Sequence, residues 1–335
     1  MTILMTGLCE KGADQIWKQC NDAMYAQGVT WLEEAAYAGD AEAWFFLGHC
    51  YSWGDGAVGF NEKKAYECYL RGASAGSARA VLGALRAGQY DEQMKRSARY
   101  SIEESYRQVR DAAEMGDVYA AWQMGEAVEW EDLADYMPQT ESAREQCLFW
   151  YERAADGGII PAMVKMGKCC QNGTYREKDE KEALRWANQC AASGEVWGLF
   201  QMGEHYRQEE DWEVAFQYDY AAAKQGSSRA MLYLGQMYLN GQGTERDIQA
   251  AVQALENAAA RNEAESFEEL GNLFYQDELV ERDDEKAFYW YGKAYAAGIK
   301  EAALPLARLY LRPSDEQDTV RAEKLLREAA GIETD

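Results

Sequence analysis

Proline is scarce in this chain, at four residues in 335, and histidine scarcer still, at two. So little proline leaves helices uninterrupted. No run of 18 apolar residues occurs, so no membrane-spanning helix is expected. The start at Met1 has only a three-residue apolar stretch and no basic segment, so no secretory leader is expected. None of the eight cysteines lies beyond Cys190, whereas a disulfide framework would be spread along the chain. Reduced core thiols and a cytoplasmic location follow as expectations. Basic residues are also short, 34 Lys and Arg against 58 Asp and Glu, for a net charge of −24. Phosphate backbones and anionic lipid repel such a chain, which points away from nucleic acid and membrane surfaces. Apolar residues are plentiful at 47%, enough to bury a large core and to exclude general disorder.

The apolar residues repeat. A small-residue pair closed by glycine recurs every 32 to 42 residues, with its last position at Gly39, Gly76, Gly116, Gly158, Gly194, Gly226, Asn262 and Gly298. Eight residues after most of these stands a large apolar residue followed by glycine: Leu47-Gly48, Met124-Gly125, Met166-Gly167, Met202-Gly203, Leu234-Gly235 and Leu270-Gly271. One unit is degenerate, with Ala84-Leu85 in register and Leu82-Gly83 two residues early. Ala287, Trp290, Tyr291 and Ala294 lie at i, i+3, i+4 and i+7, one face of a helix. Four residues before the first small position stands a helix-capping residue in nearly every unit: Asn61, Ser101, Asp179, Asp211, Asp247, Asp283 and Asp318, with Ala143 the exception. The glycine column supplies the left-handed residue that ends the helix, and Asn262 tolerates the same conformation. The pattern predicts an all-α solenoid of about nine helix pairs and no strand. Such units bury their apolar faces only by stacking, so residues 11–330 read as one solenoid, with an insertion loop at 131–142. Residues 1–10 and 331–335 read as a partly disordered extension and a tail.

The stretch Ala230-Met-Leu-Tyr-Leu234-Gly235-Gln-Met-Tyr238-Leu-Asn-Gly241-Gln-Gly243-Thr-Glu-Arg-Asp247, running into Ala251 and Ala258-Ala259, resembles a Sel-1-like repeat. These are tetratricopeptide-type helix pairs with a longer inter-helix loop, and the resemblance covers residues 28–330. It implies a right-handed superhelical αα-solenoid whose surfaces hold other proteins, without chemistry of its own. Two units depart from it: the degenerate unit at Ala84-Leu85, and the unit at 202–226, whose loop Arg207–Asp211 lacks the glycines. A cysteine-rich branch of the family ties each helix pair with a disulfide. Cys50/Cys68 and Cys169/Cys190 could imitate this, but the pattern does not recur.

Residues for catalysis are missing from the pattern. His49 and His205 stand four repeats apart and outside any His-Glu-x-x-His spacing, so no metal site is expected. Cys169 and Cys170 are adjacent and point about 100° apart on a helix. Gly241-Gln-Gly243 lacks the preceding strand and the following Lys-Ser/Thr of a phosphate loop. Glu126 and Glu129 form a carboxylate pair that an acid-rich chain contains by chance. A hydrolase needs a clustered constellation, and no enzyme or cofactor is expected. By analogy with tetratricopeptide helices, positions two before and two, five and six after the Leu/Met anchor face the concave surface. These are Phe45, His49 and Trp53; Trp122, Glu126, Glu129 and Trp130; and Phe200, Glu204 and Arg207. The position five before the anchor adds Glu42, Tyr119, Trp197 and Glu265. Aromatics interleaved with acids suit a protein or peptide partner carrying basic and apolar side chains. The competing reading is that Phe45, Trp122 and Phe200 wedge between helices as core while the acids form a solvated face. Two functions follow: an adaptor that binds its partner in the groove, or an inhibitor of immunity type that neutralises a basic toxin or effector. Nine pairs with polar ends suit a monomer.

Overall fold

A computed structural model describes residues 6–19, 22–54, 58–130, 143–276, 279–311 and 316–329. It contains nineteen α-helices and, among the described residues, no strand. The chain divides into two compact units, residues 1–198 and 199–335. In the first unit α1 (Gly7–Trp17) packs on α2 (Asp22–Tyr37), α3 (Ala41–Trp53) on α4 (Glu62–Ala75) and α5 (Ala78–Arg86) on α7 (Ile102–Glu114). The series continues with α8 (Val118–Glu129) on α9 (Ala143–Asp156) and α10 (Ile160–Asn172) on α11 (Glu180–Ala192). In the second unit α14 (Ser228–Asn240) pairs with α15 (Ile248–Ala260), α16 (Ala264–Tyr275) with α17 (Asp284–Ala296), and α18 (Ala303–Tyr310) with α19 (Glu316–Ala329). There α12 (Val196–Gln208), whose first three residues fall in the first unit, meets α13 (Trp212–Lys224) where Gly203 lies against Asp219. Nine pairs result, as the repeat spacing predicts.

The caps explain the periodicity. Asn61, Asp179, Asp247 and Asp283 each accept a hydrogen bond from the amide three residues on, at 2.9–3.0 Å. Ser101 and Glu104 exchange bonds in a capping box. The Lys286 amide, donating to Asp283, holds that carboxyl below its ordinary range. Every residue of the glycine column, and Asn262, has a positive φ between 62° and 104°. Asp318 departs from the prediction. Helix α19 starts at Glu316, which puts position 318 inside the helix and not before it. Helix α1 begins within residues 1–10, which the sequence pattern reads as an extension. Thr6 accepts from the Cys9 amide at 3.3 Å and starts α1, and Cys9 is fully buried. The sequence pattern missed α6 (Glu92–Ser97), a short helix capped by Asp91 between α5 and α7. The insertion predicted at 131–142 and the tail at 331–335 lie outside the described residues.

The Leu/Met-Gly pair has a packing cause. A Cβ on Gly48 would sit 2.6 Å from the Tyr69 ring, one on Gly125 2.6 Å from Tyr151, and one on Gly271 2.6 Å from Tyr291. Each glycine seats the large side chain of its own second helix, which therefore lies flat on backbone. Gly125→Ala is expected to cost about 1–3 kcal/mol by overpacking. Gly292, also inside a helix, has nothing within 4 Å of its Cβ position. There the same substitution should stabilise by about 0.5–1 kcal/mol, since alanine loses less chain entropy. Urea unfolding of the two variants checks the opposite signs.

The seven described cysteines are all buried thiols. Burial pushes the thiols of Cys68 and Cys147 up to about 12 and that of Cys169 to about 11, so none is a ready nucleophile. No described helix is long and apolar enough to cross a membrane.

Candidate functional site

Helix α3 presents two opposite stripes. Phe45, His49 and Trp53 follow each other at i, i+4 and i+8, so they lie along one line. Facing them are Arg86 from α5 and Gln123 and Glu126 from α8, with the ring of Tyr69 between α3 and α5. These residues line a narrow groove, partly open to solvent. Its polar side is a short chain of contacts: His49 Nε2 lies 3.9 Å from Glu126 Oε2, and the His49 ring meets Phe45 edge-on with centroids 6.3 Å apart. Below them Ser52 donates to the Tyr69 hydroxyl at 3.2 Å, and burial pushes that phenol well above its ordinary range. At the mouth the Arg86 guanidinium lies over two indoles, with the Trp53 ring centroid at 5.0 Å and that of Trp130 at 4.5 Å.

The structure thus gathers Phe45, His49, Trp53, Glu126 and Trp130 of the predicted residues around one groove. Phe45 is a wall buried to 4% exposure, whereas Trp53 and Trp130 are 48% and 57% exposed. Other predicted residues serve the interior. Glu42 is buried against Arg79, with Nε and Oε2 3.6 Å apart. Tyr119 is buried and its hydroxyl donates to Asp14. Neither offers a surface to a partner, because a neighbouring helix covers each, with Arg79 of α5 on Glu42 and Asp14 of α1 on Tyr119. Trp122 is half-buried on Tyr151, centroids 5.3 Å apart, and Glu129 accepts from the Tyr151 hydroxyl at 2.7 Å and pairs with Lys165. Trp197 covers the backbone of Gly167.

Phe200, Glu204 and Arg207 belong to the second unit. There Arg207 stacks on Tyr233 at 3.7 Å and on Phe200 at 5.6 Å, and pairs with the fully buried Asp219. Glu204 accepts from Gln201 at 3.5 Å. Glu265, from the outer column, pairs with Arg229 at 3.6 Å, and both are half-exposed.

Sequence reasoning missed Arg86, Gln123 and Tyr69. Arg86 was within reach. Counting two past Ala84 gives Arg86, as counting two past Leu47 gives His49 and two past Met124 gives Glu126. The pair Leu82-Gly83 obscured that frame. Gly83 does other work: a Cβ there would lie 2.6 Å from the Tyr69 ring and 3.2 Å from Phe45. Among the described residues no three His, Cys, Asp or Glu side chains gather as a metal set.

A family model for the Sel1 repeat matches residues 23–40, 41–77, 118–159, 160–195, 228–263, 268–299 and 301–330. The chain is a Sel1-repeat protein. The two stretches passed over, 78–117 and 196–227, contain the two units that depart from the repeat pattern. Among solved structures, the chain is similar to a protective antigen of uropathogenic Escherichia coli with an SLR fold. Identity is 23%, coverage 91% of this chain and 64% of that one, and the TM-score is 0.67. A Sel1 repeat protein from Oxalobacter formigenes is 23% identical, with 67% of this chain and 99% of that one covered and a TM-score of 0.50. An uncharacterised protein of Neisseria meningitidis serogroup B is 26% identical over 213 residues, 63% of this chain. The Sel1-repeat chain spans 42% of that relative's length. Sel1-repeat proteins in general mediate protein–protein interaction.

Proposed function

We propose that this Sel1-repeat protein is a non-catalytic scaffold that seats a partner segment of basic and apolar character in the groove of its first unit. The observation that supports this most is the meeting of three successive repeats at one place. His49, Arg86 and Glu126 occupy the same repeat position and line one groove, roofed by two half-exposed indoles. Exposed tryptophans above a desolvated pocket are the usual energetic anchors of a protein interface. The net charge of −24 steers a basic partner toward the surface.

A photo-crosslinking residue at the position of Trp53 tests this against one at Tyr37, which flanks a second concavity on the other stripe of α3. One basic protein should be captured from position 53 and not from 37, with the yield falling as salt rises. Trp53→Ala with Trp130→Ala should weaken that complex on the order of a hundredfold, from two hot-spot truncations of at least 1–2 kcal/mol each. Equal capture from both positions would remove the groove from the reading. The same charge favours a second reading, an inhibitor that neutralises a basic effector. It predicts that the captured partner has an activity of its own, which one equivalent of the Sel1-repeat protein suppresses.

A further inference from the structure

The groove is already holding a cation. Arg86 comes from the end of α5, while Trp53 ends α3 and Trp130 caps α8, so the contact joins three first helices. A guanidinium over two indole rings is a favourable cation–π arrangement, and both indoles stay about half exposed. The two rings therefore already accommodate this group, and both face solvent.

Deeper in the same groove stands an acceptor with no donor. Gln123 is 6% exposed, and its Nε2 donates to the Arg79 carbonyl at 3.0 Å, which fixes the orientation of the amide. Its Oε1 has no hydrogen-bond partner. A buried acceptor left in that state carries an uncompensated desolvation penalty that an entering donor relieves. The Glu126 carboxylate adds negative charge beside it, and Phe45 and Leu82 give apolar walls. Apolar walls for a stem, acceptors below and flat aromatic faces above match one side chain best. Arginine has a long stem, a planar head and five donors.

We propose that the groove recognises an arginine side chain of the partner, and that Arg86 is an internal placeholder displaced from Trp53 and Trp130 when that arginine enters. This rests on the scaffold reading and adds to it the anchoring group. It makes a prediction of unusual sign. Removing a basic residue from the site strengthens binding of a basic ligand, because the competing occupant is gone.

The probe is N-acetyl-arginine amide, followed by the indole NMR signals of the intact protein at low salt. Arg86→Ala is expected to bind it roughly five- to tenfold more tightly than the parent, the scale of one or two cation–π contacts. Trp53→Ala is expected to bind it more weakly. Arg86→Gln is the second variant if the alanine form loses helicity. Weaker arginine binding on loss of Arg86 overturns the proposal, since Arg86 would then be a contact and not a competitor. So does preferential binding of N-acetyl-glutamate, or binding of N-acetyl-lysine amide as tight as that of the arginine probe. If a protein is captured at Trp53 but the arginine probe neither binds nor competes, the placeholder fails and the scaffold reading stands. If the probe behaves as expected but nothing is captured, the scaffold reading fails alone.

Discussion

Arg79→Ala is expected to remove about 3–5 kcal/mol of unfolding free energy, because it leaves the buried Glu42 and the partly buried Asp117 without their cation. Arg79 is fully buried at the second position of α5. It contacts Glu42 at the second position of α3 and Asp117, the residue that caps α8. One guanidinium thus ties the starts of three successive first helices, and its backbone carbonyl accepts from Gln123 in the groove. The loss depends on pH with a definite sign. Burial raises the Glu42 carboxyl above its ordinary range, and Arg79 opposes that rise. Without Arg79 the rise is larger, so the folded variant holds the Glu42 proton more tightly than the unfolded chain does. The deficit is therefore full above the raised Glu42 value and shrinks as pH falls through it. Urea unfolding at neutral and mildly acidic pH measures both quantities. A triple variant, Arg79→Met with Glu42→Gln and Asp117→Asn, should recover most of the loss, since it removes the buried charges together. A small, pH-independent effect of Arg79→Ala would mean that water reaches the cluster.

These helix starts show where a sequence stops being legible. Caps and glycine stops act within one helix, so Asp247 and Gly226 announce themselves by spacing alone. The packing glycines are nearly as clear, because Gly125 and Tyr151 recur as a matched pair in Gly48 and Tyr69 and in Gly271 and Tyr291. Burial of charge is different. Glu42 and Glu265 share one repeat column, yet Glu42 is buried against Arg79 while Glu265 is half-exposed. Only the neighbouring repeat decides which, and the decisive residue, Arg79, sits in the degenerate unit. For the same reason the groove was half readable. Its aromatic columns were predicted, but Arg86 depended on choosing Ala84 over Leu82 as the anchor, and α6 has no counterpart in the other units.

The second irregular unit makes the other large prediction. Asp219 stands four residues after Ala215, the column that holds Tyr69, Tyr151, Leu255 and Tyr291 in regular pairs, and a Cβ on Gly203 would press on its carboxylate. A charged group has replaced the core side chain, and Arg207 supplies the balancing cation. Burial still pushes the Asp219 carboxyl up to about 6. Arg207→Met should therefore cost about 3–5 kcal/mol as long as Asp219 is ionised without a partner. Because Arg207 holds that carboxyl down, its loss raises the folded value beyond about 6, and the cost shrinks as pH falls through that higher value, where Asp219 takes up its proton first in the folded chain. Adding Asp219→Leu should reverse the sign. Leu255 packs on Gly235 in the same way, so leucine fits this seat. Arg207→Met with Asp219→Leu is expected to exceed the parent by about 1–4 kcal/mol, the gain seen when a buried ion pair yields to apolar packing. Urea unfolding of the single and double variants gives the comparison. A double variant that is more stable but has lost the stack of Arg207 on Phe200 and Tyr233 also separates two roles. Unchanged partner affinity would assign the pair to folding alone, whereas lost affinity would place the second unit in the binding surface with Arg207 as its contact.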